Sequence, residues 1–199
     1  MIGGLDLGRV KDPTALVLGD RDARSRYVLS SIAEWRPERE DFSDVVDRVN
    51  ASGAAAVAFD AAGKKVGMRF QPLMTADAAM PVFPVVASHQ RKPTEQKWGT
   101  NPRGGDYGGV IFVPKVELVS VYFSVLRDHR LVCDPELPLA WKLREEMRLY
   151  THRQDAYGYT SWGVFASGYH DDIVSALQLL LWLGERGHAF RPANERRSA

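Results

Sequence analysis

Four aspartates of this sequence stand at the ends of apolar segments, where a folded sheet could gather them: Asp6, Asp60, and the adjacent Asp171 and Asp172. Carboxylate oxygens are the preferred ligands of hard divalent cations such as Mg²⁺ and Mn²⁺. Two such ions about 4 Å apart can activate a water molecule and hold the leaving oxygen when a phosphodiester is hydrolysed. The pattern therefore points first to a metal-dependent nuclease.

Each of these acids also has a simpler explanation when it is taken alone. Asp171 or Asp172 could cap the helix predicted after them, and Asp60 could occupy a turn at the end of a strand. Asp6 is harder to explain in this way, because a carboxylate inside an apolar strand is costly to bury unless it is paired or binds metal. The positions together favour a metal site over unrelated turn and cap residues.

The first acid lies in a predicted antiparallel meander. Residues 2–7 are apolar apart from Asp6, and a turn separates them from a second apolar run at residues 14–19. Residues 27–35 follow a charged turn and have strand character. We expect these three segments to pair as consecutive antiparallel strands.

The second acid ends a predicted central strand. Residues 54–59 are fully apolar and stop at Asp60, which suits a buried strand with its acid at the carboxyl end. A helix that begins near Asp41 or Ser43 and ends by Gly53 precedes it. This helix is a crossover, so we expect the strand to run parallel to the first one.

Two proline positions shape the expectations for the next elements. Residues 64–74 have helical character, and we expect that helix to stop near Pro72. Residues 82–87 are predicted to form a further strand although they contain Pro84. Because proline has no N–H for the ladder, Pro84 argues for an edge or irregular position.

A long segment rich in glycine, proline and charge follows at residues 89–109. Connections of this length in a compact domain are usually functional or disordered, and we expect a flexible loop or hairpin. Basic residues and aromatics alternate in it, so it could track a phosphate backbone and stack on bases as a DNA-contacting flap. It could equally be a solvated loop whose aromatics pack on the core. The candidate DNA-binding residues are Arg91, Lys92, Lys97, Trp98 and Arg103.

The remainder of the chain is predicted to be mainly helical. Amphipathic helices are expected at residues 115–129 and 139–150, with a strand or link at 131–133 and a strand or hairpin at 157–165. The last helix starts at Asp171 and Asp172, where negative side chains favour the helix dipole.

Composition leaves many functions open but excludes some. The chain has 199 residues with 45% hydrophobic content, which is enough for one domain, expected at residues 1–187, before a tail at 188–199 expected to be disordered. A formal net charge of +1 gives no global signature of nucleic-acid binding. The single Cys133 excludes a disulfide framework and fits a reducing compartment. No apolar run is long enough to span a bilayer, and no signal peptide is recognisable, so no membrane partner is expected.

Three further residues are auxiliary candidates. Asp12 could approach the metals from the loop after the first strand, although Asp-Pro is a common turn pair. His170 could orient water or an aspartate, or it could be a partly buried neighbour of the helix start. Lys64 could hold a phosphate, or it could lie on a solvated helix face.

Three motifs carry a resemblance to a known family. They are the first strand Gly-Leu-Asp-Leu-Gly with a downstream Asp-Pro-Thr-Ala, the segment Ala-Phe-Asp-Ala-Ala-Gly around Asp60, and His-Asp-Asp-Ile-Val-Ser-Ala-Leu from His170. Together they resemble the nuclease domain of the large terminase subunit of tailed bacteriophages. The resemblance extends from Gly4 to about Leu183, and its most specific part is the segment that begins at His170.

The resemblance implies an α/β, ribonuclease H-like fold, with a mixed central sheet of three antiparallel strands followed by parallel strands and helices on both faces. It implies cleavage of double-stranded concatemeric viral DNA by two Mg²⁺ or Mn²⁺ ions. Asp6 would bridge both ions, Asp60 would bind one, and Asp171 or Asp172 the other. Asp171 is favoured as the direct ligand, with Asp172 as the second candidate.

The resemblance also implies partners outside this chain. Large terminases carry an ATPase domain and work with a small terminase subunit and the portal of a procapsid in the host cytoplasm. Here no phosphate-binding loop of the form G-x-x-x-x-G-K-[ST] exists, so no ATP site is expected and the chain should cut DNA without translocating it.

Other functions remain as alternatives. A nuclease similar to Holliday-junction resolvases would use the same acids, and a non-catalytic module for binding DNA or the capsid could use the same scaffold. A fragment of a sugar-kinase or actin-type ATPase would also open with an Asp-Leu-Gly strand. The sequence lacks the second glycine-rich phosphate hairpin and second lobe that such an ATPase requires.

Overall fold

The computed structural model describes residues 1–8, 13–37, 42–62, 66–88, 94–96, 110–156 and 160–189. Its first half alternates strands with two helices: β1 (Ile2–Asp6), β2 (Thr14–Arg21), β3 (Tyr27–Trp35), α1 (Ser43–Ala51), β4 (Ala56–Asp60), α2 (Val66–Asp77), β5 (Val82–Ser88) and β6 (Thr94–Gln96). Its second half contains four strands and three helices: β7 (Val110–Pro114), α3 (Lys115–Arg127), β8 (Leu131–Val132), α4 (Ala140–Leu149), β9 (Tyr150–Gln154), β10 (Thr160–Val164) and α5 (Asp172–Arg186). A short 3₁₀ helix at Gly187–Ala189 follows.

Eight of these strands form one mixed sheet in the order β6-β7-β5-β4-β1-β2-β3-β8. β1, β2 and β3 are antiparallel neighbours, whereas β1–β4, β4–β5 and β5–β7 are parallel pairs. The predicted meander, crossover and parallel central strand are therefore confirmed. The remaining two strands, β9 and β10, pair as a separate antiparallel hairpin.

Helices cover the sheet on both faces, as predicted. α1 and α2 pack on one face through an apolar cluster that includes Leu5, Phe59 and Phe70. α3, α4 and α5 pack on the other face, where α5 is the central helix and is buried along most of its length. Side chains of a strand alternate between faces, so Leu5 contributes to one layer and its neighbour Asp6 to the other.

Gly4 determines how closely α5 approaches the sheet. A Cβ at this position would lie only 2.0 Å from the carbonyl oxygen of Ala176 and 2.5 Å from the backbone nitrogen of Leu180. Only glycine permits this contact, since both opposing atoms belong to the helix backbone. The helix therefore lies directly on β1, with its N-terminal turn near the strand end that carries Asp6.

The prediction that Pro72 ends the second helix is wrong. α2 continues through Pro72 to Asp77. Phe70 and Met74 lie on either side of the proline and are both fully buried in the apolar cluster under the sheet. Their burial offsets the backbone hydrogen bond that an internal proline removes, which shows tertiary packing overriding a local preference.

The prediction of an edge position for β5 is also wrong, because this strand lies between β4 and β7. The carbonyl groups of Pro81 and Val85 accept hydrogen bonds from the backbone N–H groups of Val57 in β4 and of Ala61 just after it. Pro84, offset by one residue from Val85, therefore directs its nitrogen towards β7, whose described pairing with β5 begins only at Val85. The absent N–H of Pro84 therefore interrupts no described hydrogen bond between β5 and β7. For this reason an internal strand can contain the proline.

Sequence analysis missed two strands, and most of residues 89–109 lie outside the description. β7 directly precedes α3, and β9 directly follows α4, so each was concealed by the stronger helical pattern next to it. Within the segment at 89–109, residues Thr94–Gln96 form β6, which pairs antiparallel with β7. None of the helices in the described ranges is long and apolar enough to cross a membrane.

Candidate metal centre

Asp6 and Asp60 lie side by side at the carboxyl ends of two neighbouring parallel strands. The register pairs Leu5 of β1 with Phe59 of β4, which brings the next residue of each strand to the same edge. Leu5 and Phe59 point into the α1/α2 layer, so the two aspartates point towards α5. The sheet thus brings together two carboxylates that are far apart in sequence.

The two aspartates line a cavity of about 140 Å³ between the sheet and the helices. Three polar side chains from helices line it with them: Lys115 at the start of α3, and Ser175 and Gln178 on α5. The other lining residues are apolar: Val85, Ala87, Leu118 and Leu179. Carboxylates, one ammonium group, one hydroxyl and one amide therefore meet in a cavity with apolar walls.

Asp171 and Asp172 reach this region from the N-terminus of α5. Both carboxylates act on Asp6 electrostatically, as does Asp60. Asp171 also lies against the hairpin, because a Cβ on Gly163 of β10 would be 3.0 Å from its Oδ2 atom. The four aspartates predicted from the sequence thus form one electrostatically coupled group.

Asp6 is the member of this group whose pKa is affected most strongly by its surroundings. Burial raises its pKa well above the ordinary value for aspartate, and the negative charges of Asp60, Asp172 and Asp171 raise it further. Lys115 lowers that pKa but does not compensate for these effects. Additional positive charge at this position would therefore favour the ionised form of Asp6.

Burial is also the main cause of the raised pKa values of the two acids on α5. Lys115, the backbone N–H groups of Asp171 and Val164, and His170 counteract the effect on Asp171. The pKa of Asp172 is raised to about 6, and the charge of Asp171 contributes to the rise while His170 opposes it. Its Oδ2 atom is buried and accepts no hydrogen bond from any described residue.

The capping explanation for these two acids does not hold. Asp171 occupies the N-cap position of α5, and its backbone carbonyl accepts the first helical bond from Ser175 at 2.7 Å. Its side chain nevertheless makes no capping hydrogen bond. The carboxylate of Asp171 is therefore not used to cap the N-terminus of the helix.

Sequence reasoning missed four polar residues in or next to this centre. Ser175 and Gln178 follow Asp171 at helical spacings of four and seven residues, a pattern that could have identified them. Lys115 follows β7, a strand that was itself not predicted. Glu146 of α4 lies beneath the α5 terminus and is 1% exposed, although nothing in its local sequence distinguishes it from the glutamate before it.

The remaining predicted site residues are either exposed or outside the described ranges. His170 is exposed, not partly buried, and acts on Asp171 and Asp172 through its charge. Asp12, Lys64, Arg91, Lys92, Lys97, Trp98 and Arg103 lie outside the described residues.

Within the ranges that the structure describes, no three His, Cys, Asp or Glu side chains are close enough to hold one metal ion together. The donor set nevertheless fits hard divalent cations. All four acids offer carboxylate oxygen, Asp172 has a buried oxygen atom without a described partner, and three neighbouring carboxylates act on Asp6 against the opposing charge of Lys115.

Comparison with known proteins identifies the fold. No protein-family model matches the sequence. No curated protein matches it either. Among solved structures, the large terminase nuclease of the thermophilic phage G20c with bound magnesium is similar over 90% of this chain and 79% of its own, with 18% sequence identity and a TM-score of 0.62.

Two further solved structures agree with this comparison. The large terminase nuclease domain of Thermus phage P74-26 matches 92% of this chain and 78% of its own, with 16% identity and a TM-score of 0.57. The large terminase of bacteriophage HK97 matches 90% of this chain at 14% identity and a TM-score of 0.55, and the match spans 38% of that longer chain. The protein therefore has the ribonuclease H-like fold of large terminase nuclease domains, as the resemblance in its sequence predicted.

Proposed function

We propose that this protein is a metal-dependent endonuclease of the large terminase kind, which cuts double-stranded concatemeric viral DNA during genome packaging. The proposal is supported by Asp6 and Asp60, which line one cavity at the carboxyl ends of neighbouring strands, by the electrostatic effect of Asp171 and Asp172 on Asp6, and by the fold that the chain shares with terminase nuclease domains. Solved structures of the G20c nuclease contain magnesium or cobalt, which supports divalent metal as the cofactor here.

Mg²⁺ or Mn²⁺ would be held by carboxylates from three elements. In the proposed centre Asp6 would be a ligand shared by two ions, and Asp60 would be a ligand of one of them. Asp171 is favoured as the ligand of the other, since it shares a helix face with Ser175 and Gln178, which line the cavity. Asp172 remains the second candidate, because its charge affects Asp6 more strongly than that of Asp171 does.

Two bound ions would supply an activated water molecule and charge stabilisation at the leaving oxygen. The cavity lining and Lys115 would support this chemistry. Apolar residues stand beside the polar ones in the cavity lining, so charges there interact more strongly than they would in bulk water. Lys115 at the cavity wall lowers the pKa of Asp6 and would contact a non-bridging oxygen of the DNA phosphate.

The proposed DNA contacts extend beyond the centre. Arg91, Lys92, Lys97, Trp98 and Arg103 are proposed to contact the duplex as a basic and aromatic flap. An ATPase domain is the proposed partner that would drive translocation. The portal of the procapsid and a small terminase subunit are the other proposed partners, in the host cytoplasm.

Cleavage of supercoiled plasmid tests the proposal directly. Purified protein is incubated with plasmid in Mg²⁺, in Mn²⁺ or in EDTA, beside Asp6→Ala, Asp171→Ala and the control Asp47→Ala. Asp47 is exposed on α1, on the opposite face of the sheet. We expect metal-dependent cleavage by the parent and the control, and a loss of about a thousandfold in Asp6→Ala, because metal ions supply several kcal/mol of transition-state stabilisation.

Other outcomes would favour other functions. Strong preference for a four-way junction over linear duplex would indicate a resolvase-like nuclease. Binding of DNA by folded protein without cleavage in either metal would indicate a binding module on the same scaffold. Equal cleavage by Asp6→Ala and the parent would contradict the proposed centre.

A further inference from the structure

Glu146 of α4 is bonded to the start of α5, the helix that carries two of the proposed ligands. Its Oε2 atom accepts hydrogen bonds from the backbone N–H groups of Ile173 and Val174, both at 3.0 Å. The side chain is 1% exposed, so water does not compete for these bonds. A buried carboxylate from one helix thus satisfies two donors at the end of another.

These two N–H groups are the ones that an N-cap side chain normally satisfies. With Asp171 at the N-cap and Asp172 first in the helix, Ile173 and Val174 occupy the second and third helical positions. The side-chain oxygen of an N-cap aspartate usually accepts from one of these positions. Here Glu146 accepts both of these hydrogen bonds, and the Asp171 side chain makes no such bond.

Glu146 is itself held in place by neighbouring charges. Lys142, one turn earlier on α4, has its Nζ atom 3.9 Å from Oε1 of Glu146. Lys142 also forms an ion pair with Glu34 of β3. The negative charges of Asp172 and Glu34 also face Glu146. This arrangement ties α4 to the sheet and directs the carboxylate of Glu146 at the helix terminus.

We infer that Glu146 is a positioning residue that caps α5 from outside and thereby spares the carboxylate of Asp171 from the capping bonds, so that it can bind metal. The inference rests on the proposed function, since it assigns Glu146 a role in the same metal centre. Without Glu146, the Asp171 side chain can turn back to the N–H groups of Ile173 and Val174. That bond would compete with metal for the same oxygen atoms.

Titration with Mn²⁺ followed by calorimetry tests the inference on the whole chain. Glu146→Met keeps the approximate length of the side chain but cannot accept the two bonds, whereas Glu146→Gln keeps an acceptor oxygen. We expect Mn²⁺ affinity to fall about tenfold in the Met variant, as loss of an outer support commonly weakens a metal site. The Gln variant should stay within about threefold of the parent, because capping requires an acceptor and not a charge.

The neighbouring Glu145 provides the matched control. It pairs with Arg148 on the exposed side of the same helix, so Glu145→Met should leave Mn²⁺ affinity unchanged. Equal affinity in folded Glu146→Met and the parent would overturn the inference. An equal loss in the Gln and Met variants would also overturn it, because charge and not capping would then be responsible.

A second measurement decides the matter if Glu146→Met does not fold. When an aspartate caps a helix, its replacement by alanine lowers Tm by about 2–4 °C in a chain of this size. We expect Asp171→Ala in EDTA to keep or raise the Tm of the parent, because Glu146 supplies the cap. A fall of that size would show that Asp171 caps its own helix and would overturn the inference.

The same titration separates this inference from the proposed function. If the parent protein binds no Mn²⁺, the proposed metal centre fails, and the Asp171→Ala melting experiment still reports on the cap. If the parent binds Mn²⁺ and the Met variant binds it equally well, only the role of Glu146 fails.

Discussion

The two faces of the central sheet differ in what they bury. On the α1/α2 face, Leu5 and Phe59 lie in an apolar cluster with edge-to-face aromatic pairs, such as Phe59 and Phe70 at 5.3 Å between ring centroids. On the α5 face, the next residue of each strand is Asp6 or Asp60, in a cavity with Lys115. At the carboxyl ends of β1 and β4 one face is therefore apolar, whereas the other, beside its own apolar clusters, carries an electrostatic cost.

The cost is visible in the pKa values of the α5 face. Burial and mutual repulsion raise the pKa of Asp6, and burial raises the pKa of Glu146 to about 7 and that of Asp172 to about 6. Carboxylates that were merely structural would be expected to have partners that lower their pKa values, as Glu185 does with Arg130 and Tyr27. Perturbed groups of this kind concentrate at functional sites.

The largest expected effect comes from Asp60→Asn, which removes a charge from the carboxylate face while retaining an acceptor for the N–H of Ala62. We expect plasmid cleavage in Mn²⁺ to fall about a thousandfold, since a metal ligand is weakened. The Tm in EDTA should stay the same or rise, because repulsion with Asp6 is relieved. Asp47→Asn is the control, and a large fall in Tm would break the comparison between the faces.

A variant of the apolar face should behave in the opposite way. Phe70→Ala removes a fully buried ring that packs against Phe42 and Phe59. We expect the free energy of unfolding to fall by about 3–5 kcal/mol, measured by urea denaturation. Mn²⁺ affinity at a temperature where the variant is folded should equal that of the parent, and a coupled loss would contradict the separation of roles.

Metal should stabilise the protein through the carboxylate face alone. At 100 times its dissociation constant, Mn²⁺ should add about 2.7 kcal/mol, which corresponds to a rise in Tm of about 5–10 °C. Asp6→Ala should lose most of this rise, while Phe70→Ala should retain it from a lower baseline. An unchanged melting transition of the parent in saturating Mn²⁺ would count against the centre.

The smallest expected effect is on the pH dependence of stability without metal. The folded-state pKa values of Asp172 and Glu146 exceed their unfolded values, so the native state binds more protons between about pH 4 and 7. Stability in EDTA should therefore decrease as pH rises through this interval. We expect a higher Tm at pH 5 than at pH 7.5, and a weaker dependence in Asp172→Asn. A Tm that rises with pH would show that these acids are favourably paired.

Local sequence patterns were sufficient to predict a strand or helix where the neighbouring residues agreed on one type of element. The meander, the crossover helix, the central strand that ends at Asp60 and the helix that begins at Asp172 were all confirmed, because apolar periodicity and charged turns agree there. The predictions based on Pro72 and Pro84, for the end of α2 and the position of β5, were wrong because burial and the neighbouring strands decide whether a proline is tolerated. Glu146 could not be identified from the sequence, since the residue beside it, Glu145, is of the same type and yet is partly exposed.

The sequence by itself determined which carboxylates stand at the ends of strands and at the start of the last helix, and it indicated the fold that contains them. Only the tertiary structure decided that Asp6 and Asp60 line one cavity with Lys115 and Gln178, and that Glu146 satisfies the helix terminus in place of Asp171. The physical reason is that strand register, the close approach over Gly4 and the packing of α4 on α5 act between residues far apart in the chain. Local propensity does not carry that information.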